Sequence, residues 1–87
     1  MLNKTFSALS DPTRQKILEL LKKRDMAAGK IGEHFNLTGA TLSHHLSVLK
    51  EAGLIAGRRD GQEIIYSLNL SVFEEVAGLL VKFFKIK

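Results

Sequence analysis

LTGATLSHHLSVLKEAGL, residues Leu37 to Leu54, decides how the chain is read. Thr38 is placed to cap a helix, and Ala52-Gly53 to end it, with Gly53 as a left-handed C-terminal cap. At about 100° per residue, Leu42, His45, Leu46 and Leu49 fall on one side. Ala40, Thr41, Ser43, His44 and Ser47 fall on the other. A helix that only packs against a core usually shows solvent long Lys and Glu side chains. A face of small hydrogen-bonding groups instead suits entry into a DNA major groove, where bulk would hold the helix away from the base edges. The stretch is expected to be the second helix of a helix-turn-helix, spanning about residues 38–52.

Upstream, Met26 to Phe35 reads as the helix before the turn at Asn36-Leu37, with Ile31 and Phe35 inward. Leu37 is positioned to staple against Leu42. Gly29 and Gly32 weaken that helix, and close approach to a neighbouring helix would explain them. Earlier still, Asp11 is a good N-cap and Pro12 fits the first helical position, where its missing N–H costs nothing. The helix TRQKILELLKKR that follows carries Ile17, Leu18, Leu20 and Leu21 on its apolar stripe, while Arg14 and its other charged residues are expected in solvent. Asn3 to Leu9 forms a first short helix with Leu2, Phe6 and Leu9 on one side.

Downstream, residues 55–59 and 62–68 flank Asp60-Gly61, a strong hairpin signal. Ile64, Tyr66 and Leu68 are expected to alternate toward the core, and Arg58 to sit opposite Glu63. Ser71-x-x-Glu74 has the form of a capping box opening a last helix, VFEEVAGLLVKFF. The apolar residues of that helix wrap beyond the stripe of a surface helix. The order helix, helix, helix-turn-helix, hairpin, helix predicts a mainly α fold with one β-hairpin (α+β). This is a winged helix-turn-helix, with the wing at 55–68 and one domain over residues 1–87.

Composition fits this outline. The 87 residues are 45% hydrophobic and 25% charged, ordinary for a small globular domain. A core of that size gains from oligomerisation. The formal charge is +4 and the pI about 9.6, which favours an anionic partner. With no Cys, disulfides, thiolate metal sites and thiol nucleophiles are excluded. No stretch has the apolar length of a membrane span, and the N-terminus lacks a signal-peptide pattern, so a soluble cytoplasmic protein is expected. No phosphate-cradling glycine loop, Ser/His/Asp set or paired-carboxylate arrangement is evident, so no enzymatic activity and no cofactor is expected.

Three blocks together resemble the ArsR/SmtB family of bacterial repressors. Leu9-Ser10-Asp11-Pro12-Thr13-Arg14-x-x-Ile17-Leu18-x-x-Leu21 is similar to that family's opening. Thr41-Leu42-Ser43-His44-His45-Leu46-x-x-Leu49-x-x-Ala52-Gly53-Leu54 is similar to its recognition helix. Arg58-Arg59-Asp60-Gly61-Gln62-x-x-x-Tyr66-x-Leu68 is similar to its wing. The short chain without sensor cysteines is most like the SdpR-like autorepressor subgroup. The resemblance implies a homodimer built from the first and last helices, a palindromic operator and repression of transcription. It does not carry over metal sensing. MAAGKIGEHF has none of the family's Cys ligands, and SVFEEVAGLLVKFF has no His or Asp, so no metal is expected.

The candidate DNA-binding residues are Gly39, Ala40, Thr41, Ser43, His44 and Ser47 on the recognition helix, with Arg58, Arg59 and Gln62 on the wing. Gly39 lets the helix N-terminus approach a phosphate. Ala40 offers a methyl to thymine, and the hydroxyls and His44 offer hydrogen bonds to bases or phosphates. Arg59, beside the turn, is the better candidate for the minor groove. Lys30, Lys50 and Arg14 are further phosphate candidates. A solvated helix face and a solvated hairpin tip are the plainer alternatives. His45, on the apolar side, is expected to pack and hydrogen-bond, and the His44-His45 pair makes a poor metal site because adjacent helical residues do not face each other. His34 is expected at the surface.

Leu2, Phe6, Leu9, Val76, Leu80, Phe83 and Phe84 are the candidate dimer contacts, because so wide an apolar face marks an interface. Lys82, Lys85 and Lys87 beside Phe83 and Phe84 leave membrane adhesion as a lesser alternative. The other functional class left open is a winged-helix module that binds, or is titrated by, a regulatory protein.

Overall fold

The computed structural model describes residues 2–84. In chain order come α1 (Leu2–Leu9), α2 (Pro12–Lys23), β1 (Met26–Ala27), α3 (Ala28–Gly32), α4 (Gly39–Glu51), β2 (Ile55–Asp60), β3 (Glu63–Leu68) and α5 (Leu70–Phe84). This is the winged helix-turn-helix arrangement, mostly helical with a small antiparallel sheet.

Capping chemistry sets the long helices. The Asp11 carboxylate accepts from the Arg14 backbone N–H at 2.9 Å, and Pro12 opens α2. Ile17, Leu18 and Leu21 bury its apolar stripe, and Lys22 and Lys23 complement the dipole of its last turn. Thr38 caps α4 by accepting from the Thr41 N–H at 3.2 Å. At its other end Gly53 adopts φ 76°, a conformation open mainly to glycine. Gly53 N–H then reaches Lys50 O, and Leu54 N–H reaches Leu49 O, both at 3.0 Å. These are the paired bonds of a Schellman end, with fully buried Leu49 and Leu54 supplying its hydrophobic contact.

The core gathers Ala8, Ile17, Leu18, Leu21, Ile31, Leu46, Leu49, Leu54 and Ile55. These come from α1, α2, α3, α4 and the start of β2. No residue of α5 is buried, although Val72 and Phe73 pack partly against the core.

Several expectations are corrected. Met26-Ala27 is a strand, not helix: Met26 pairs with Tyr66 and Ala27 with Ile65, giving a three-stranded sheet of order β1-β3-β2. The open edge of β3 satisfies the backbone of residues 26–27 better than a glycine-weakened helix would, so α3 has only 5 residues. Gly32 does permit a close approach, since a Cβ there would meet Leu42 Cδ2 at 3.1 Å, whereas one at Gly29 meets nothing within 4 Å.

The hairpin loop is Gly61-Gln62, one residue later than expected. Asp60 faces Glu63, Arg59 faces Ile64 and Arg58 faces Ile65. Gly61 takes φ 66°, as a two-residue loop with glycine first requires. Arg58 is therefore not opposite Glu63. Tyr66 and Leu68 pack on the core as expected, but Ile64 is exposed and flanks Gly57 on the sheet. Finally, α5 begins at Leu70, so Ser71 lies inside its first turn and not at the cap.

Candidate nucleic-acid interface

The recognition face is assembled as the spacing predicts. Leu46 and Leu49 anchor α4 in the core, with Leu42 and His45 half-buried beside them. Gly39, Ala40, Thr41, Ser43, His44 and Ser47 are all exposed along the opposite side, and Lys50 is exposed one turn further on. At the helix start the Thr38 hydroxyl donates to the Thr41 hydroxyl at 2.9 Å. The face carries no carboxylate until Glu51, so nothing on it repels a phosphate backbone.

The wing divides its two arginines. Arg58 Nη1 lies 3.2 Å from Asp25 Oδ2, in the connection between α2 and β1. Both side chains remain largely open, 62% and 46%, so the pair is screened and weak. Arg59 has no ionic partner among the described residues. It and Gln62 are exposed at the tip of the hairpin. Lys30 is exposed and lies 3.6 Å from Glu33.

Arg14 is the largest departure from expectation. Its guanidinium is half-buried and is engaged within the chain. Nε donates to Ala8 O at 3.0 Å, Nη2 to Ser7 O at 3.1 Å, and Nη1 faces His45 Nδ1 at 3.2 Å. Asp11 Oδ2 lies 3.9 Å from the same His45 nitrogen. His45, only 13% exposed, is packed and hydrogen-bonded as its apolar side predicts. The Arg14 amide on the Asp11 carboxylate holds that group below its ordinary value, with the Arg14 charge adding to it against the opposing effect of burial. The sequence signals the Asp11 cap but carries no sign of the contact between Arg14 and His45, which are 31 positions apart.

The candidate dimer face is exposed on both terminal helices. Phe6 is half-exposed on α1, and Leu79, Leu80 and Val81 are similarly open on α5. Phe83 and Phe84 reach 82% and 70% exposure. Leu9 and Val76 are half-buried, Leu9 against the chain's own core. The Leu2 side chain, Lys85 and Lys87 lie outside the described residues. No helix among the described residues is long and apolar enough to cross a membrane.

A slim polar helix on a helix-turn-helix frame, followed by a β wing that carries Arg58 and Arg59, defines a winged helix-turn-helix DNA-binding module. Residues 11–56 match the family described as bacterial regulatory protein, arsR family. Over 82 residues the chain is 50% identical to the transcriptional repressor SdpR of Bacillus subtilis, spanning 94% of this chain and 91% of that protein. It is 35% identical over 75 residues to the arsenical resistance operon repressor of Staphylococcus aureus, spanning 86% and 72%. The crystal structure of an ArsR family transcriptional regulator matches with a TM-score of 0.89 at 24% identity, over 97% of this chain and 87% of that one, a likeness of fold. The chain belongs to the ArsR family of bacterial regulatory proteins.

Proposed function

We propose that the chain works as a homodimer on a palindromic operator, with α4 in the major groove and the wing at the minor groove. The chain is a DNA-binding transcriptional repressor of the ArsR family. The observation that carries the proposal is the exposed face of Gly39, Ala40, Thr41, Ser43, His44 and Ser47, held outward by buried Leu46 and Leu49. Thr41, Ser43, His44 and Ser47 read base edges, with Ala40 against a thymine methyl. Gly39 and Lys50 approach phosphates, and Arg59 and Gln62 reach the minor groove. Arg58, further from the turn, is placed for a phosphate contact beside them.

The single domain dimerises through α1 and α5. This accounts for a last helix that has no fully buried residue within its own chain. Two recognition helices then meet half-sites about 34–36 Å apart. Phosphate contacts supply most of the affinity, which falls steeply with salt. The protein acts in the cytoplasm as a regulator and performs no catalysis, in line with the transcriptional regulators it is related to.

Selection from randomised duplex DNA at near-physiological salt tests this directly. The expected product is an inverted repeat with half-sites about one helical turn apart. A folded protein that enriches no motif overturns the proposal and favours a partner-binding module.

A further inference from the structure

Arg14 joins three elements with one planar group. Two of its nitrogens bind the carbonyls of Ser7 and Ala8, in the last turn of α1, and the third binds His45 on the inner side of α4. Its backbone N–H meanwhile holds the Asp11 cap of α2. The neighbouring bond from Gln15 Nε2 to Leu9 O, 2.6 Å, closes off the next carbonyl of α1. The end of α1 is thus welded to α2, and Arg14 extends that weld to α4. Because guanidinium only donates, His45 Nδ1 must present its lone pair to Arg14, which places the ring proton on Nε2. A lysine cannot reproduce this, since an ammonium lacks the fixed fork that spans three acceptors.

We propose that Arg14 is a positioning residue for DNA reading: by tying the last turn of α1 to His45 it sets the angle between the dimer helix and the recognition helix. It thereby sets the half-site spacing that the dimer accepts. This rests on the homodimer described above, in which α1 lies at the two-fold axis and α4 in the groove. Any rotation of α4 against α1 within a protomer is doubled across that axis, so a small loosening there widens the range of spacings bound.

The test uses the full chain and the selected inverted repeat, with its spacer lengthened or shortened by one and two base pairs. Wild type should strongly prefer one spacing. Arg14→Lys keeps the charge but loses the fork, and His45→Leu keeps the bulk but loses the acceptor. Both should lower the preference for the native spacer about tenfold, the effect of one charge-assisted hydrogen bond. His45→Asn, which keeps an acceptor near the position of Nδ1, should restore much of it. Melting curves accompany each variant, and Arg14→Lys carries the test if His45→Leu does not fold. An equal loss on every spacer, or no change, overturns the positioning role and leaves the homodimer intact. A wild type that recognises no inverted repeat removes the homodimer and this proposal together.

Discussion

Helices α4 and α5 are both amphipathic, yet they end in opposite states. In α4 the apolar side is used up inside the chain: Leu46 and Leu49 are buried, and what is left outside is small and polar. In α5 a more apolar helix has no fully buried residue: Val72 and Phe73 at its start pack partly on the core, and Leu80, Val81, Phe83 and Phe84 remain open. The amphipathic pattern states that a side must be covered, and only the surroundings state by what. For α4 the cover is α1, α2, α3 and the start of the sheet. For α5 the proposed cover is a second copy of the chain.

The sharpest way to break this contrast is in the core under α4. Leu49→Ala should cost about 2–5 kcal/mol, read as a lowered denaturation midpoint, and the loss should be independent of protein concentration. The counterpart on α5 is Leu80→Glu with Phe84→Glu. That double variant should weaken dimerisation about 100-fold by sedimentation and abolish any concentration dependence of melting. A wild type already monomeric at high concentration would remove the proposed cover for α5.

On the outer side of α4, Ser43→Ala with His44→Ala should leave melting unchanged. It should reduce discrimination between operator and random DNA about tenfold, within the range of base contacts. Equal losses on both DNAs would reassign that face to phosphate contact.

A smaller effect is expected where α1 meets α2. Asp11→Asn keeps an N-cap acceptor but removes the charge. The carboxyl is held below its ordinary value of 3.8, so its stabilisation is complete above that pH and is lost as pH falls through the lower folded value. Melting of the wild type should exceed that of Asp11→Asn near neutrality, and the gap should close in acid. Smallest of all, Arg58→Ala should change stability by less than about 1 kcal/mol, because its bond to Asp25 is exposed. Arg59→Ala should instead weaken DNA binding and lower its salt slope by about one.

Much of the molecule is legible in the sequence. The caps at Asp11, Thr38 and Gly53 were readable because each is a local bond between residues within a few positions. The two sides of α4 were readable because helical periodicity alone sorts them. The errors share a different cause. Residues 26–27 became a strand because the edge of β3, some 40 positions away, offers their backbone hydrogen bonds. The hairpin loop moved one residue because Asp-Gly identifies a turn more securely than it identifies register. Arg14 was expected in solvent because its acceptors belong to the end of α1 and to α4.

By itself, then, the sequence determined the order of elements, the capped helices and the slim polar face of α4. These follow from local hydrogen bonds and from periodicity, which depend only on neighbours along the chain. Tertiary structure alone decided the third strand, the pairing of Arg58 with Asp25 and the Arg14–His45 link. Each of those depends on which groups compete for a backbone edge, a carboxylate or a guanidinium. That competition exists only once distant segments have been brought together.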